Sequence, residues 1–422
     1  MIGVLGALSA GFDCRLYVYS DDALRNPPLH SVWNQFRGPG GDGIDRSGGE
    51  LPLDWSKEDA RWRTPLPGSG WSSPVLSERE IILTAAASQP SDEQSLDLIT
   101  LWIDRESGEV VRRLKVFFQE GDDQPRIHSK NSHASPTPLL IGPDILVHFG
   151  YQGTALLAPD GALRWANRDL RFPPVHGNGG SPIVVGGRVI FTCDGEEQPS
   201  IAALDLASGR LVWRRNRPVN AERKFSFCTP TVIEVDGKSQ VVCPGSDCVL
   251  SLDPQSGEIL WQVRYEGYSV VPKPVFADGL VFVATGYGDT RLLAIDPRGI
   301  GDVTDSHVVW TLERGAPNTP SLLAHQQRLY VLSDDGILTV LRTTSGELVY
   351  RQRLGGNYSA SPIEVAGKLV LTSEEGKVTI LNGGEQFQVL AEKDLGERTL
   401  ASPAYGEGSL YFRTAEALYR FD

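Results

Sequence analysis

The densest group of residues able to bind or do chemistry is in the segment FFQEGDDQPRIHSKNSHASP, where His128, Lys130, Asn131 and His133 fall within six positions. Two imidazoles, an amine and an amide side by side can donate hydrogen bonds to an anion or to sugar hydroxyls. His128 and His133 could also suggest a metal, but no carboxylate or third histidine stands at a supporting spacing, so no metal site is expected. Asp122 and Asp123 read as solvated. Further candidates occur at matching places along the chain: Trp71, Asn178 with His176 close by, Ser226, Lys273, Asn318, Tyr358 and Arg398. Arg413 is a basic residue in an otherwise apolar run, SLYFRT, and must be paired or face a wet channel. Its two readings are an anchor for an anion and a structural pair with an aspartate. There is no Gly-x-Ser-x-Gly elbow, P-loop or HExxH motif, and no catalytic residue is nominated. The same polar residues could equally satisfy backbone groups and ordered water.

A repeat decides what positions these residues. Ser/Thr-Pro followed by apolar residues recurs at Ser73-Pro74, Ser135-Pro136, Ser181-Pro182, Thr229-Pro230, Thr319-Pro320, Ser361-Pro362 and Ser402-Pro403, with a degenerate copy at Val271-Pro272. Successive prolines are 62, 46, 48, 42, 48, 42 and 41 residues apart. After each comes an alternating run such as GGRVIFTC, DGLVFVAT or AGKLVLTS, the period of a half-buried strand. A third run ends in an acidic residue, as in IAALD, and an Asp-x-x-Ser-Gly turn leads into a fourth, as in DLASGRLVW. The Asp accepts backbone N–H bonds and the Gly supplies left-handed backbone. An aromatic stands four residues past that Gly at Trp165, Trp213, Trp261 and Tyr350, whereas Gly299 precedes Trp310 by eleven, so that turn carries seven extra residues.

Each unit is therefore four short antiparallel strands that cannot bury both faces alone. Stacking the units around an axis does so, which makes the chain an all-β, eight-bladed β-propeller. Ala60 to Asp422 spans 363 residues, and eight blades of about 45 residues fit it. The last copy stops after three strands, and Ala60-Arg-Trp62-Arg-Thr-Pro-Leu66 supplies the fourth, so the last blade is closed by an N-terminal strand. Residues 60–422 form one propeller domain, and 1–59 an N-terminal tail with a Gly-rich extension along the ring. Loops entering the inner strands converge on the central channel, where the candidate residues would suit an anionic or sugar-like ligand.

Composition narrows the classes. The 422 residues hold 40 Lys plus Arg against 53 Asp plus Glu, a net charge of −13, which removes nucleic acid as a partner. No apolar run is long enough for a transmembrane helix. The 45 Gly and 28 Pro favour turns over helices. Met1 to Gly11 reads either as an atypical signal lacking a basic start or as a tail. The five cysteines include no CxxC; Cys243 and Cys248 flank a turn and are either bonded across a hairpin or small buried residues.

The unit Ala-Leu-Asp-x-x-Ser-Gly-x-x-x-Trp, as in ALDLASGRLVW, resembles the repeat of the quinoprotein alcohol dehydrogenase-like (PQQ-like) propellers over residues 60–422. WNQFRGPGGDG, GSGWSSPV, HSKNSHASPTP and ERTLASPA resemble a subgroup abundant in planctomycete-type bacteria. The resemblance implies that Trp62, Trp165, Trp213, Trp261, Trp310 and Tyr350 pack between blades. It also implies two kinds of function. One is a non-catalytic scaffold of the periplasm or cell envelope, like the lipoprotein of the β-barrel assembly machinery, binding a protein partner or a small polar or anionic ligand. The other is a PQQ-dependent alcohol or sugar dehydrogenase, which needs Ca²⁺ held by Glu, Asn and Asp, an Asp base and an aromatic platform. Neither the ligand set nor the base matches a motif here, so the scaffold is the expectation, without cofactor and monomeric. Export to the periplasm, envelope or medium is expected, with a cytoplasmic location left open. A glycosidase-type carboxylate pair is not nominated by any spacing.

Overall fold

The computed structural model describes residues 33–422 except 90, 91, 124 and 173; Met1 to Gly11 and Cys14 lie outside them. Among the described residues there is no α-helix, and the strands form eight antiparallel sheets arranged as propeller blades. Blades 1 to 8 are numbered by their inner strands, which begin at Val75, Leu139, Ile183, Thr231, Val275, Leu323, Ile363 and Ala404. Blade 3 shows the pattern: Ile183–Val185, Arg188–Cys193, Ser200–Asp205 and Leu211–Asn216 pair in chain order from the axis outward. The second and third strands are buried on both faces, as in Val189, Ile190, Phe191 and Ile201 to Leu204, while the outer strand is exposed apart from Trp213. Apolar clusters lie between neighbouring blades, and each fully buried Leu, Ile or Val there contributes roughly 1.5–3 kcal/mol.

The Asp-x-x-Ser-Gly turn sets the spacing between blades. Asp205 accepts the N–H and hydroxyl of Ser208. Gly209, at φ 69°, lies so close to Trp165 of the preceding blade that a Cβ would sit 2.4 Å from the indole. The indole N–H of Trp165 donates to Leu206 O at 2.8 Å. Trp213, Trp62 and Trp310 repeat this, donating to Pro254 O, Arg105 O and Thr343 O of the next blade. Trp261 differs, donating to Gln240 Oε1 of its own blade. The seven-residue excess before Trp310 explains the difference: Gly301–Asp302 folds back and pairs in parallel with Trp261 and Gln262 as a fifth strand of blade 4. Tyr350 packs edge-on to Phe387.

The ring closes as the repeat predicts. Trp62–Pro65 pairs antiparallel with Ala417–Phe421, and Ala404–Gly406 and Ser409–Arg413 complete blade 8. Glu397 clasps this closure, accepting bonds from Lys57, Arg63, Thr414 Oγ1 and Tyr419 Oη. Trp55, ahead of the closing strand, stacks on Phe421 with centroids 4.0 Å apart.

Cys193, Cys228, Cys243 and Cys248 are all buried free thiols. Cys243 stands opposite Leu250 and Cys248 opposite Gly245, so of the two readings of that pair the structure takes the buried one. The pairing register offsets them by two residues, which keeps them from facing each other.

Candidate functional site

A ring of hydroxyls marks the inner wall of the channel. The N–H of Ser73 donates to Thr137 Oγ1, that of Thr137 to Ser181 Oγ and that of Ser181 to Thr229 Oγ1. On the other side Lys273 N–H donates to Ser321 Oγ, Ser321 to Ser361 Oγ and Ser361 to Ser402 Oγ. Each bond links one blade to the next. The equivalent positions are thus Thr137, not Ser135, in the second copy, Lys273, not Val271, in the fifth, and Ser321, not Thr319, in the sixth. Lys273 alone replaces a hydroxyl with an amine.

The segment Trp33 to Ile44 crosses one end of this ring. Trp33 O and Asn34 O accept from Leu76 and Leu140, on blades 1 and 2. Gly43 O accepts from Glu364, on blade 7. Arg37, fully buried, donates to Leu322 O at 2.6 Å and Pro362 O at 3.3 Å, on blades 6 and 7. Lys273 Nζ donates to Gly41 O at 2.8 Å. A dozen residues that touch the inner strands of five blades must traverse the axis. Gly41 stands there at φ 64°, where an L side chain is strained, and a Cβ would lie 2.2 Å from Lys273 Nζ, which would have to shift. Burial, with Arg37 nearby, pushes the Lys273 ammonium down to about 8.

Above the ring lies a cavity of about 800 Å³ that includes all seven hydroxyls and Phe36 of the crossing segment in its walls. The insertion between blades 1 and 2 spans its mouth. His128 N–H and Asn131 Nδ2 donate to His176 O, ahead of blade 3. Lys130 Nζ is 2.7 Å from Glu374 Oε1 on blade 7, and Arg398 donates to Ser129 O from the approach to blade 8. Along the wall an arc of rings runs from His128 to His176 (5.5 Å), Phe225 (5.4 Å), Tyr268 (6.1 Å) and Tyr287 (6.3 Å). Arg223 lies 4.7 Å over the Tyr268 ring. Arg398 lies 5.7 Å over Trp71, a wall residue on the other side.

The sequence candidates therefore divide. His128, Lys130 and Asn131 line the cavity, Arg398 braces its rim, and Lys273 stands in the ring with its amine turned to the crossing segment. His133 is half-buried off the cavity wall, and burial lowers its basicity. Asn178 and Ser226 line a separate pocket of about 20 Å³, room for one water, beside His148 and Asp194. Asn318 donates its N–H to Asp334 in the blade-6 turn. Tyr358 is buried between blades 6 and 7, its phenol pushed up to about 12 by burial. Arg413 neither reaches the cavity wall nor meets an aspartate: it is buried at the junction of blades 8 and 1 and spends its guanidinium on Ser72 and Thr84 O. Carbonyl and hydroxyl oxygens satisfy its N–H groups there without neutralising it, and burial lowers its pKa to about 9. Phe36, Phe225, Tyr268, Tyr287 and Arg223 are not singled out by the sequence; for Arg223, Phe225 and Tyr268 the available signal is their place in the loops entering the inner strands, whereas Phe36 lies in the crossing segment and Tyr287 inside blade 5. Among the described residues no group of three His, Cys, Asp or Glu could hold a metal ion, and no helix is long and apolar enough to cross a membrane.

These features define an eight-bladed propeller of PQQ-like repeats with an axial cavity crossed at one end. The chain belongs to the family described as outer membrane protein assembly factor BamB, whose model matches residues 48–216, 197–325 and 302–419. No curated protein matches the sequence. Among solved structures the fold is similar to BamB from Moraxella catarrhalis, at TM-score 0.60 and 16% identity over 86% of this chain and 97% of that one. It is also similar to the quinohemoprotein alcohol dehydrogenase from Comamonas testosteroni, at TM-score 0.68 and 12% identity over 96% and 82%. A europium-containing methanol dehydrogenase matches at TM-score 0.63 and 10% identity over 90% and 89%. At such identities these likenesses establish the fold.

Proposed function

We propose that this protein is a non-catalytic binding propeller of the cell envelope whose ligand occupies the axial cavity. The observation that carries the reading is the cavity of about 800 Å³ between the crossing segment and the strap over its mouth. Its size is that of a dedicated ligand site. Membership of the BamB family supports the envelope setting and the lack of chemistry. The donor set argues against the dehydrogenase alternative. PQQ carries three carboxylates, and its calcium needs oxygen ligands. Here the wall cations Lys130 and Arg223 are matched by Glu196 and Glu222, and Lys130 is already paired with Glu374. The residues present do not fit that cofactor.

The test is a titration of the purified chain with PQQ plus Ca²⁺, followed by tryptophan fluorescence, beside native mass spectrometry of protein isolated from envelopes. The expected result is no saturable PQQ binding and a co-purifying small molecule that is lost in Tyr268→Ala. Stoichiometric PQQ binding with dye-linked alcohol oxidation would overturn the reading.

A further inference from the structure

We infer that the cavity takes the end of a neutral oligosaccharide, an assignment that rests on the binding-propeller reading above and names its ligand class. Three independent features of the cavity converge on it.

The first is charge. The wall holds Lys130 and Arg223 beside Glu196 and Glu222, and Lys130 is ion-paired with Glu374. Burial, with His128 and Arg126 nearby, lowers the basicity of His176. Arg223 is further engaged with the face and hydroxyl of Tyr268. A site whose two cations are already engaged, beside the carboxylates of Glu196 and Glu222, selects against polyanions.

The second is the arc of ring faces. His176, Phe225, Tyr268 and Tyr287 come from the loops entering blades 3, 4 and 5 and from blade 5 itself, and successive centroids lie 5.4–6.3 Å apart. The arc is held by backbone: Tyr268 and Tyr287 exchange N–H···O bonds, and His176 O receives two bonds from the strap. Tyr268 is half-buried and Tyr287 is 37% exposed, so ring surface is left open to the cavity. Flat amphipathic surfaces of this kind take a ligand with apolar faces and polar edges.

The third is the throat. Six hydroxyls, Thr137, Ser181, Thr229, Ser321, Ser361 and Ser402, each accept a backbone N–H from the neighbouring blade. Each retains its own O–H proton and a lone pair. A circle of groups that both donate and accept suits a ligand whose groups also both donate and accept. Carboxylates and phosphates only accept, and ammonium groups only donate. Pyranose rings combine hydroxyl edges with C–H faces, and the cavity volume has room for a short oligosaccharide rather than a single sugar.

The test is isothermal titration of the full chain with cellotriose, maltotriose, xylotriose and N,N′,N″-triacetylchitotriose, with tri-galacturonate as the charged counterpart. At least one neutral trisaccharide is expected to bind at one equivalent. Tyr268→Ala should weaken it tenfold or more without lowering the melting temperature, and Tyr268→Phe, which keeps the ring, should stay within threefold of wild type. If the neutral sugars fail and tri-galacturonate binds in a Tyr268-dependent way, the saccharide class is overturned as neutral while the cavity stands as the binding site. If none of the five sugars binds but a Tyr268-dependent molecule co-purifies from envelopes, the saccharide inference falls and the binding propeller survives. If nothing binds and nothing co-purifies, both fall.

Discussion

Replacing Lys273 with methionine should stabilise the protein at neutral pH, by an amount that vanishes in alkali. Lys273 is 4% exposed, and its ammonium donates to Gly41 O, with no carboxylate bonded to it among the described residues. Burial, reinforced by Arg37 and opposed by Asp42 and the Cys228 thiol, takes its pKa from 10.5 to about 8. At 1.36 kcal/mol per unit, that difference makes the buried charge destabilising by about 3 kcal/mol while both folded and unfolded chains are protonated. Between pH 8 and 10.5 the unfolded chain holds a proton that the folded chain has released, so wild-type stability rises through that window relative to the methionine variant. Methionine keeps the length of the stem and removes the charge. The other buried thiols and phenols are common to both proteins and cancel in the difference; Cys228, which couples to Lys273, does not, but burial pushes its thiol well up. Urea unfolding of both proteins at pH 7, 8, 9 and 10 gives the curve. The advantage of Lys273→Met should be about 3 kcal/mol at pH 7 and shrink toward a small constant by pH 10.5. A difference that stays flat across the series would refute the claim that the ammonium is buried and poorly compensated in the ring.

Gly41→Ala should destabilise the protein by about 2 kcal/mol or more, because it strains a left-handed residue and drives a methyl into the ammonium of Lys273. The loss should be smaller in a Lys273→Met background, and a double-mutant cycle reads that coupling. Against the upward push of burial, bonds from Thr414, Tyr419, Lys57 and Arg63 hold the Glu397 carboxyl down at about 2. Its clasp on the closing strand is therefore complete above pH 4.5 and lost as pH falls toward 2; Glu397→Gln should lose about 2 kcal/mol in urea titrations at pH 7, and less at pH 3. Cys193, Cys228, Cys243 and Cys248 are buried, and burial pushes their thiols up; they should resist Ellman's reagent until urea unfolds the ring.

The propeller was legible because a blade is a local unit, so its strand period and turn chemistry recur in order along the chain. Even errors of register were harmless to the fold. Choosing Ser135 for Thr137, or Val271 for Lys273, moves the copy by two residues, and a shift of two keeps the same strand face. X-Pro dipeptides also signal extended backbone without saying which of two neighbouring copies meets the axis. The site was harder to read for the opposite reason. His128, Lys130 and Asn131 were found because they stand in a long polar insertion. The aromatic arc was not, because Phe225, Tyr268 and Tyr287 sit in loops of unequal length with no shared spacing. Tyr358 and Arg413 carry the right chemistry but turn into the seams between blades, and the direction of a side chain near the end of a strand depends on packing that one sequence does not display.

What makes this ring specific is where it breaks its own repeat. Seven hydroxyls satisfy the geometry of the inner wall, so a perfect repeat would leave an open, uniform channel. Three departures fill it: the strap between blades 1 and 2, the crossing segment before blade 1, and one lysine in place of a hydroxyl. Two of them meet at the bond from Lys273 to Gly41 O, where a buried charge is destabilising by about 3 kcal/mol on its pKa shift alone. A serine there could have continued the hydroxyl ring. A lysine reaches the crossing segment, which a serine side chain is too short to do. Holding that segment across one end, with Phe36 in the cavity wall, gives the channel a floor, and a floor is what turns a pore through a scaffold into a site that can hold a ligand.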